Sequence, residues 1–326
     1  MAPPVDTAPL SRRHALRLGG LAGAGAVAAG STLLAGAGRA AAAPLRAPGG
    51  GDPARLPVAL IERIVQGKGE VSNGVLNIGF DRDDLPHVHK GRVPVKPAFE
   101  INGNLCFQQL ADGSVMMNGD LAFKPGEVDR AIGEMVRHRM VWQALHQHLT
   151  GLRPMVWFMH MRARGSAVAV AKACDAVLSA TSTPRPQAPP AHPATPLDAK
   201  RLARIIGAPA SVGGSGVVSF QIPRREQIIL GGVKISPYLN VYTSVDFQPL
   251  GGDRAAAVPD FGMLAGEADR VARVMRHQGW QLDCLYNQET DERPQLYFSH
   301  QFKVGNAYTL AAEIRRGLEQ TGVVLH

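Results

Sequence analysis

The stretch GEVDRAIGEMV at residues 126–136 returns later in the chain as GEADRVARVM at residues 266–275, an offset of 140 positions. The same offset relates further pairs on both sides of this stretch. They include Gly91 and Gly231, Pro97 and Pro237, Asp120 and Asp260, Arg153-Pro154 and Arg293-Pro294, and His160 and His300. A gapless series of matches over about a hundred residues is not expected by chance, so the sequence predicts a tandem duplication.

A proline-rich segment separates the two copies. Residues 183–196 read TPRPQAPPAHPATP and hold six prolines, which exclude regular helix or central strand and favour an extended spacer. The predicted domains are therefore copy one at residues 54–182, a linker at residues 183–196 and copy two at residues 197–326. A chain of 326 residues has room for two domains of this size.

Within each copy the hydrophobic period alternates between that of strands and that of helices. In copy one, period-two and apolar runs predict strands at 75–80, 105–110, 114–123, 141–149 and 155–162. Helical spacing predicts helices at 126–139 and 166–179, the second capped by Ser166. This order of elements favours an α+β fold in which each copy is an antiparallel sheet with helices packed on one face.

The N-terminus has the features of an export signal. Residues 1–43 carry the pair Arg12-Arg13, then a Gly/Ala-rich run and a small-residue site near Ala40. This pattern predicts a twin-arginine-type signal peptide and a periplasmic or secreted protein. The alternative is a membrane anchor, but the run is poor in bulky apolar residues. The first cysteine is Cys106, so no lipid-modified cysteine follows the signal, and no stable membrane anchor is expected after its removal.

The charge pattern narrows the class of partner. The formal net charge is +8, and part of the basic excess lies in the signal segment. The remainder has no run of Lys and Arg interleaved with aromatic residues, so nucleic acid is not an expected partner. A small molecule or a cell-wall component is the expected one.

Several segments resemble a known family. They are IERIVQGKGEVSNGVLNIGFDRDDL, MMNGDLAFKPGEVDRAIGEMV, ALHQHL and PMVWFMHM in copy one, and GVVSFQIPR and PQLYFSHQF in copy two. Over about residues 54–322 the chain is similar to the LppY/LpqO-like family, exported bacterial proteins with a duplicated domain of unknown function. The resemblance implies no established activity. The sequence departs from the family at Gln147, where asparagine is typical, and in lacking a lipoprotein cysteine.

Three histidines are the candidate site. His146 and His148 stand two apart on a predicted strand and so project from one face. If His146 lies opposite Phe158 on the next strand, His160 is on the same face, diagonal to His146. A slip of one residue would place His160 on the other face. The three imidazoles, with Asp120 or Glu100 as a further ligand, predict a site for a divalent metal such as zinc. The alternative is that they are hydrogen-bonded side chains of a half-buried sheet.

Copy two differs at the same positions. Tyr286 and Gln288 replace His146 and His148, and only His300 is kept. The sequence therefore places the metal site in copy one and interprets His300 as a core or hydrogen-bonding residue. Two functions stay open: a metal-dependent envelope protein, including a hydrolytic one, and a non-enzymatic envelope or cell-wall ligand-binding protein without metal. Whether the protein is an enzyme is not decided by these patterns.

Overall fold

The structure, a computed structural model, describes residues 55–85 and 87–326. The predicted signal peptide at residues 1–43 lies outside the described residues. Within the described part, no helix combines the length and the apolar character needed to cross a membrane.

Copy one consists of four helices and nine strands. In chain order these are α1 Val58–Val65, β1 Gly69–Ser72, β2 Val75–Asp81, β3 His89–Lys90, β4 Val93–Pro94, α2 Pro97–Glu100, β5 Asn102–Gln109, β6 Val115–Phe123, α3 Val128–Arg137, β7 Val141–His146, β8 Leu152–Arg153, β9 Trp157–Gly165 and α4 Ala167–Ser179. Six strands form an antiparallel sheet in the order β1-β2-β5-β6-β9-β7, and β4, β3 and β8 form a small second sheet.

Copy two repeats this plan. Its elements are α5 Ala199–Ile206, β10 Ala210–Val212, β11 Val218–Ile222, β12 Ile229–Leu230, β13 Val233–Lys234, β14 Thr243–Pro249, β15 Arg254–Met263, α6 Ala265–His277, β16 Gln281–Leu282, β17 Glu292–Arg293, β18 Tyr297–Asn306 and α7 Ala307–Leu318. The large sheet has the order β10-β11-β14-β15-β18-β16, and β13, β12 and β17 form the small one. Each copy is thus an antiparallel sheet with helices, as the sequence predicts.

The helices of each copy cover one face of its large sheet. In copy one, Ile61 of α1, Met135 of α3 and Cys174 of α4 share a core with odd-numbered residues of β6 such as Met117 and Leu121. In copy two, α5, α6 and α7 pack in the same way against β11, β14 and β15. Burial of these apolar side chains is the main source of stability for each copy.

The other face of each sheet packs against the other copy. All nine residues of β6 are buried, which a strand with one solvent-exposed face would not show. Two even-numbered residues of β6 belong to cores shared between the copies, in which Ala122 joins Ala256 and Val258, and Met116 joins Leu239. Side chains on the inner faces of the two sheets are therefore enclosed between the copies.

The offset of 140 is not constant. The offset of 140 is wrong over β2. Ile78 of β2 pairs with Leu105, and Phe220 of β11 pairs with Val245, the repeat equivalent of Leu105. Ile78 therefore corresponds to Phe220, two positions beyond the offset of 140. The same shift relates the buried arginines Arg82 and Arg224. Each donates to a carbonyl and a glutamate of its own copy: Arg82 to Ala122 and Glu127, and Arg224 to Gly262 and Glu267. From β3 and β12 onward the offset is 140 again.

Candidate functional site

The site begins with one Asp–His pair in each copy. Asp120 of β6 lies directly opposite His160 of β9, and Asp260 of β15 lies directly opposite His300 of β18. Residues opposite each other in an antiparallel pair point to the same face of the sheet. Both pairs lie on the inner faces, so the two copies bring them together.

His146 reaches the same place from the end of β7. It lies opposite Phe158 of β9, which confirms the register expected from the sequence. The predicted strand 141–149, however, ends at His146. The next residues turn away because Leu152 and Arg153 pair with β3 in the small sheet. His148 therefore lies in a turn, and strand alternation does not place its side chain.

The closest histidine cluster combines both copies. One ring nitrogen each of His146, His148 and His300 lie within 4.8 Å of one another. The rings of His148 and His300 stack with centroids 4.0 Å apart, and the His160 ring centroid lies 5.1 Å from that of His146. The sequence interpretation places His300 outside the candidate site, whereas the structure places its ring in this cluster, which draws on both copies.

Copy two also supplies an aromatic wall. The Tyr286 ring stacks on His146 with centroids 3.8 Å apart. Tyr286 stands at the position of copy two that corresponds to His146. Copy two thus lacks this histidine, and the tyrosine in its place stacks on His146 of copy one. Spacing within one copy gives no sign of this contact, because it depends on which faces of the copies meet.

Both predicted carboxylates contact His148. Its Nδ1 atom lies 3.1 Å from Glu100 Oε2, and its Nε2 atom lies 3.0 Å from Asp120 Oδ2. A neutral imidazole has only one N–H, so it cannot donate to two ionised carboxylates. One partner must therefore carry a proton, or a cation must replace one of these hydrogen bonds.

Several buried polar atoms of the cluster have no hydrogen-bond partner. They are both ring nitrogens of His146 and of His160, and the Oδ1 atom of Asp120. His160 is only 2% exposed. A buried polar atom without a partner costs about 1–3 kcal/mol, so such a concentration of them indicates a site built for a ligand.

Burial shifts the titration of these groups towards their neutral forms. It raises the pKa of Asp120 to about 6 and lowers the pKa values of His148 and His160 to about 3. Burial, followed by repulsion from Asp246, raises the pKa of Glu100 well above its ordinary value. The imidazoles are therefore unprotonated at neutral pH, which is the form that binds metal ions.

The cluster borders a cavity of about 190 Å³ between the two sheets. Its titratable lining residues are Glu100, Asp120, His148 and His160 from copy one, and Tyr242, Asp246, Asp260, Tyr286 and His300 from copy two. Over the part of the chain that the structure describes, neither lysine nor arginine lines it. The cavity is thus a recess with nitrogen and oxygen donors and four carboxyl groups.

The outer contacts of His300 favour one ring nitrogen for binding. Its Nδ1 atom lies 3.4 Å from Cys284 Sγ and 3.5 Å from Asp260 Oδ1. With Nδ1 engaged, Nε2 is the nitrogen available to a ligand. Fixing the orientation of a ligating histidine through its other nitrogen is common in metal sites.

This donor set fits a divalent metal ion. Imidazole nitrogens with carboxylate oxygens suit zinc and other first-row divalent ions. Of the residues predicted from the sequence, the structure brings together His146, His148, His160, Asp120 and Glu100. His300 is the addition, and its repeat relation to His160 was the signal that could have revealed it.

Comparison with known families gives one model, described as Domain of Unknown Function (DUF1259), which matches residues 59–180 and again residues 200–320. No curated protein matches the chain. Two solved structures show low similarity. EtuB from Clostridium kluyveri is 9% identical over 77% of this chain and 90% of that chain, with a TM-score of 0.19. A trimeric bacterial microcompartment shell protein, PduB, is 9% identical over 80% of this chain and 97% of that chain, also with a TM-score of 0.19. Similarity at this level supports no argument about fold or function.

Proposed function

The chain belongs to the family described as Domain of Unknown Function (DUF1259), with one copy of the domain in each half, and we propose that it binds a divalent metal ion between the two copies. The observation that carries this proposal is the buried cluster of His146, His148 and His300, whose ligand atoms lie within 4.8 Å of one another. Zinc is the favoured ion, because the set is rich in imidazole.

Each proposed ligand has a defined support. His146 lies at the end of β7 against the Tyr286 ring, and His300 is oriented through its Nδ1 atom. His148 would give up its hydrogen bond to one carboxylate when it binds the ion. Asp120, whose Oδ2 atom lies 3.0 Å from His148 Nε2, is the nearby oxygen donor. Three histidines and one carboxylate would give a four-coordinate ion. If the carboxylate does not bind, the three histidines would leave the fourth position to water.

The setting proposed for this protein is the cell envelope. The support is the Arg12-Arg13 signal pattern and the resemblance to the exported LppY/LpqO-like family. A small molecule or a cell-wall component is the proposed partner, and the cavity beside the histidines is where it would bind. Changing Arg12 and Arg13 to lysine should leave unprocessed precursor in the cytoplasm, and normal export of that variant would contradict the assignment.

The metal proposal is tested by elemental analysis of the mature protein purified after export. We expect stoichiometric zinc or a related divalent ion in the wild type, and loss of that ion in the double variant His146→Ala/His148→Ala. His277→Ala removes an exposed histidine from α6 and should retain the ion. A wild-type protein that takes up no divalent ion after incubation with zinc would overturn the proposal and favour the metal-free ligand-binding alternative.

A further inference from the structure

Each copy contributes an Asp–His pair, but the proposed three-histidine site uses the histidine of only one pair. His300 of the second pair belongs to the proposed three-histidine site, whereas His160 of the first pair does not. Yet His160 occupies the equivalent strand position and faces the same space. Its ring centroid is 5.1 Å from that of His146, so it lies beside the first site and not in a separate part of the molecule.

His160 is a buried donor without a partner. Its side chain is 2% exposed, and neither ring nitrogen makes a hydrogen bond. An apolar side chain of similar size would avoid the cost of burying two unpaired nitrogen atoms. The presence of an imidazole here therefore points to a ligand for His160 itself.

Asp120 stands between the two sets of histidines. Its Oδ2 atom is 3.0 Å from His148 Nε2 and 3.7 Å from His160 Nε2, and its Oδ1 atom is buried without a partner. A carboxylate in this position has one contact to each side and a free oxygen. Both contacts use Oδ2, so the carboxylate has a second oxygen, Oδ1, to offer to a cation.

The cavity is lined by more carboxyl groups than one ion would bind. Four carboxyl groups line it, those of Glu100, Asp120, Asp246 and Asp260, and no lysine or arginine within the described residues lies among them. One ion held by three histidines and Asp120 leaves the carboxyl groups of Glu100, Asp246 and Asp260 as oxygen donors for a second ion.

We propose that the site is dinuclear: a second divalent cation binds His160 and Asp120, and the Asp120 carboxylate bridges it to the ion held by His146, His148 and His300. Asp260, which lies directly opposite His300 and lines the same cavity, is a further donor from copy two. The inference rests on the proposed function, because the second ion shares Asp120 with the first. Paired ions bridged in this way usually lie about 3.5–4 Å apart.

The test is a titration of the metal-depleted full-length protein with Mn²⁺, followed by electron paramagnetic resonance. We expect two ions per wild-type chain and the spectrum of an exchange-coupled pair. His160→Gln should bind one ion and give an uncoupled six-line spectrum. His277→Gln, on the surface of α6, should behave like the wild type. Circular dichroism and thermal unfolding establish that each variant is folded.

A second variant covers a failure of His160→Gln to fold. Asp120→Asn keeps the size of the side chain and should abolish the exchange coupling, because an amide does not bridge as a carboxylate does. One ion per wild-type chain, or two coupled ions in folded His160→Gln, would overturn the dinuclear proposal. One ion that is lost in His146→Ala/His148→Ala would still support the proposed function, whereas no bound ion would overturn both.

Discussion

At the scale of single residues, Glu289 links the two copies through a buried carboxyl group. It belongs to copy two and is 2% exposed. It accepts hydrogen bonds from the amides of Asn118, at 2.6 Å, and Gln143, both in copy one. Burial raises the pKa of Glu289 to about 7, although these hydrogen bonds oppose the shift. Glu289, enclosed between the copies, is therefore still partly protonated at neutral pH.

This shift predicts a pH dependence of stability. Because the folded pKa is raised from 4.5 to about 7, the contribution of Glu289 is fully present below pH 4.5 and is lost as the pH rises towards 7. The loss amounts to roughly 3 kcal/mol in the free energy of unfolding. Glu289→Gln imitates the protonated form and should remove this part of the decline.

The measurement is urea unfolding of the metal-depleted protein between pH 4.5 and 7.5. The difference between wild type and Glu289→Gln isolates this residue, because the other cavity carboxyl groups are present in both. Glu319→Gln, an exposed position after α7, should follow the wild type. Parallel curves for wild type and Glu289→Gln would show that the carboxyl group is not held protonated.

Residue-level prediction from the sequence succeeded where short-range geometry decides the outcome. His146 lies opposite Phe158, as in the register considered from the sequence, although β8 takes the place of the tight turn assumed between β7 and β9. His300 was misplaced, because spacing within one copy cannot show that His300 stacks on His148 of the other copy. The part of the site that was missed is the part created by contact between the copies.

At the scale of elements, two helical glycines have opposite surroundings. Gly133 of α3 is exposed, and a Cβ atom added there would meet no atom within 4 Å. Gly317 of α7 is buried, and a Cβ atom added there would lie 2.7 Å from Phe261 Cζ and 2.8 Å from Met275 Sδ. The packing of α7 against β15 and α6 thus depends on the absence of a side chain at Gly317.

The matched substitutions test this difference. Gly133→Ala should stabilise the protein by about 0.5–1 kcal/mol, because alanine has the higher helix propensity. Gly317→Ala gains the same propensity but forces the neighbouring side chains apart, and overpacking costs about 1–3 kcal/mol. We therefore expect a higher melting temperature for Gly133→Ala and a lower one for Gly317→Ala. Stabilisation by both substitutions would contradict the close approach of α7 to Phe261.

The sequence predicts long periodic elements better than short ones. The cap of α4 at Ser166 is confirmed by its side-chain hydrogen bond to the first turn, and Asn306 caps α7 in the same way. The two-residue strands of the small sheets were not predicted, because two residues carry no measurable period. One of them, β8, takes the chain away from the large sheet after His146. Because the sequence does not predict β8, it places His148 on a strand, whereas His148 lies in a turn.

At the scale of the whole molecule, the copies are held together by more than the linker. Two apolar cores contain residues of both copies, including Val156 with Ala256 in one and Met116 with Leu239 in the other. The first part of the linker is itself attached to copy one, where Gln187 hydrogen-bonds to Gln66 and Asp81. Residues 188–194 are exposed.

Cutting the linker should therefore leave the molecule assembled. If residues 188–194 are replaced by a site for a specific protease, the cleaved fragments should co-elute in size-exclusion chromatography at the position of the intact chain. They should separate only in denaturant, because separation exposes the shared apolar cores to water. Elution of two independent fragments under native conditions would show that the copies are autonomous domains.

Because both halves of the cluster belong to one chain, dilution of the protein does not separate them. A site formed between two separate subunits falls apart when their concentration drops below the dissociation constant of the pair. Here the ring of His300 meets that of His148 through an intramolecular contact, so the partner is always present at a high effective concentration. The chain therefore retains its complete cluster even as a single isolated molecule at any dilution.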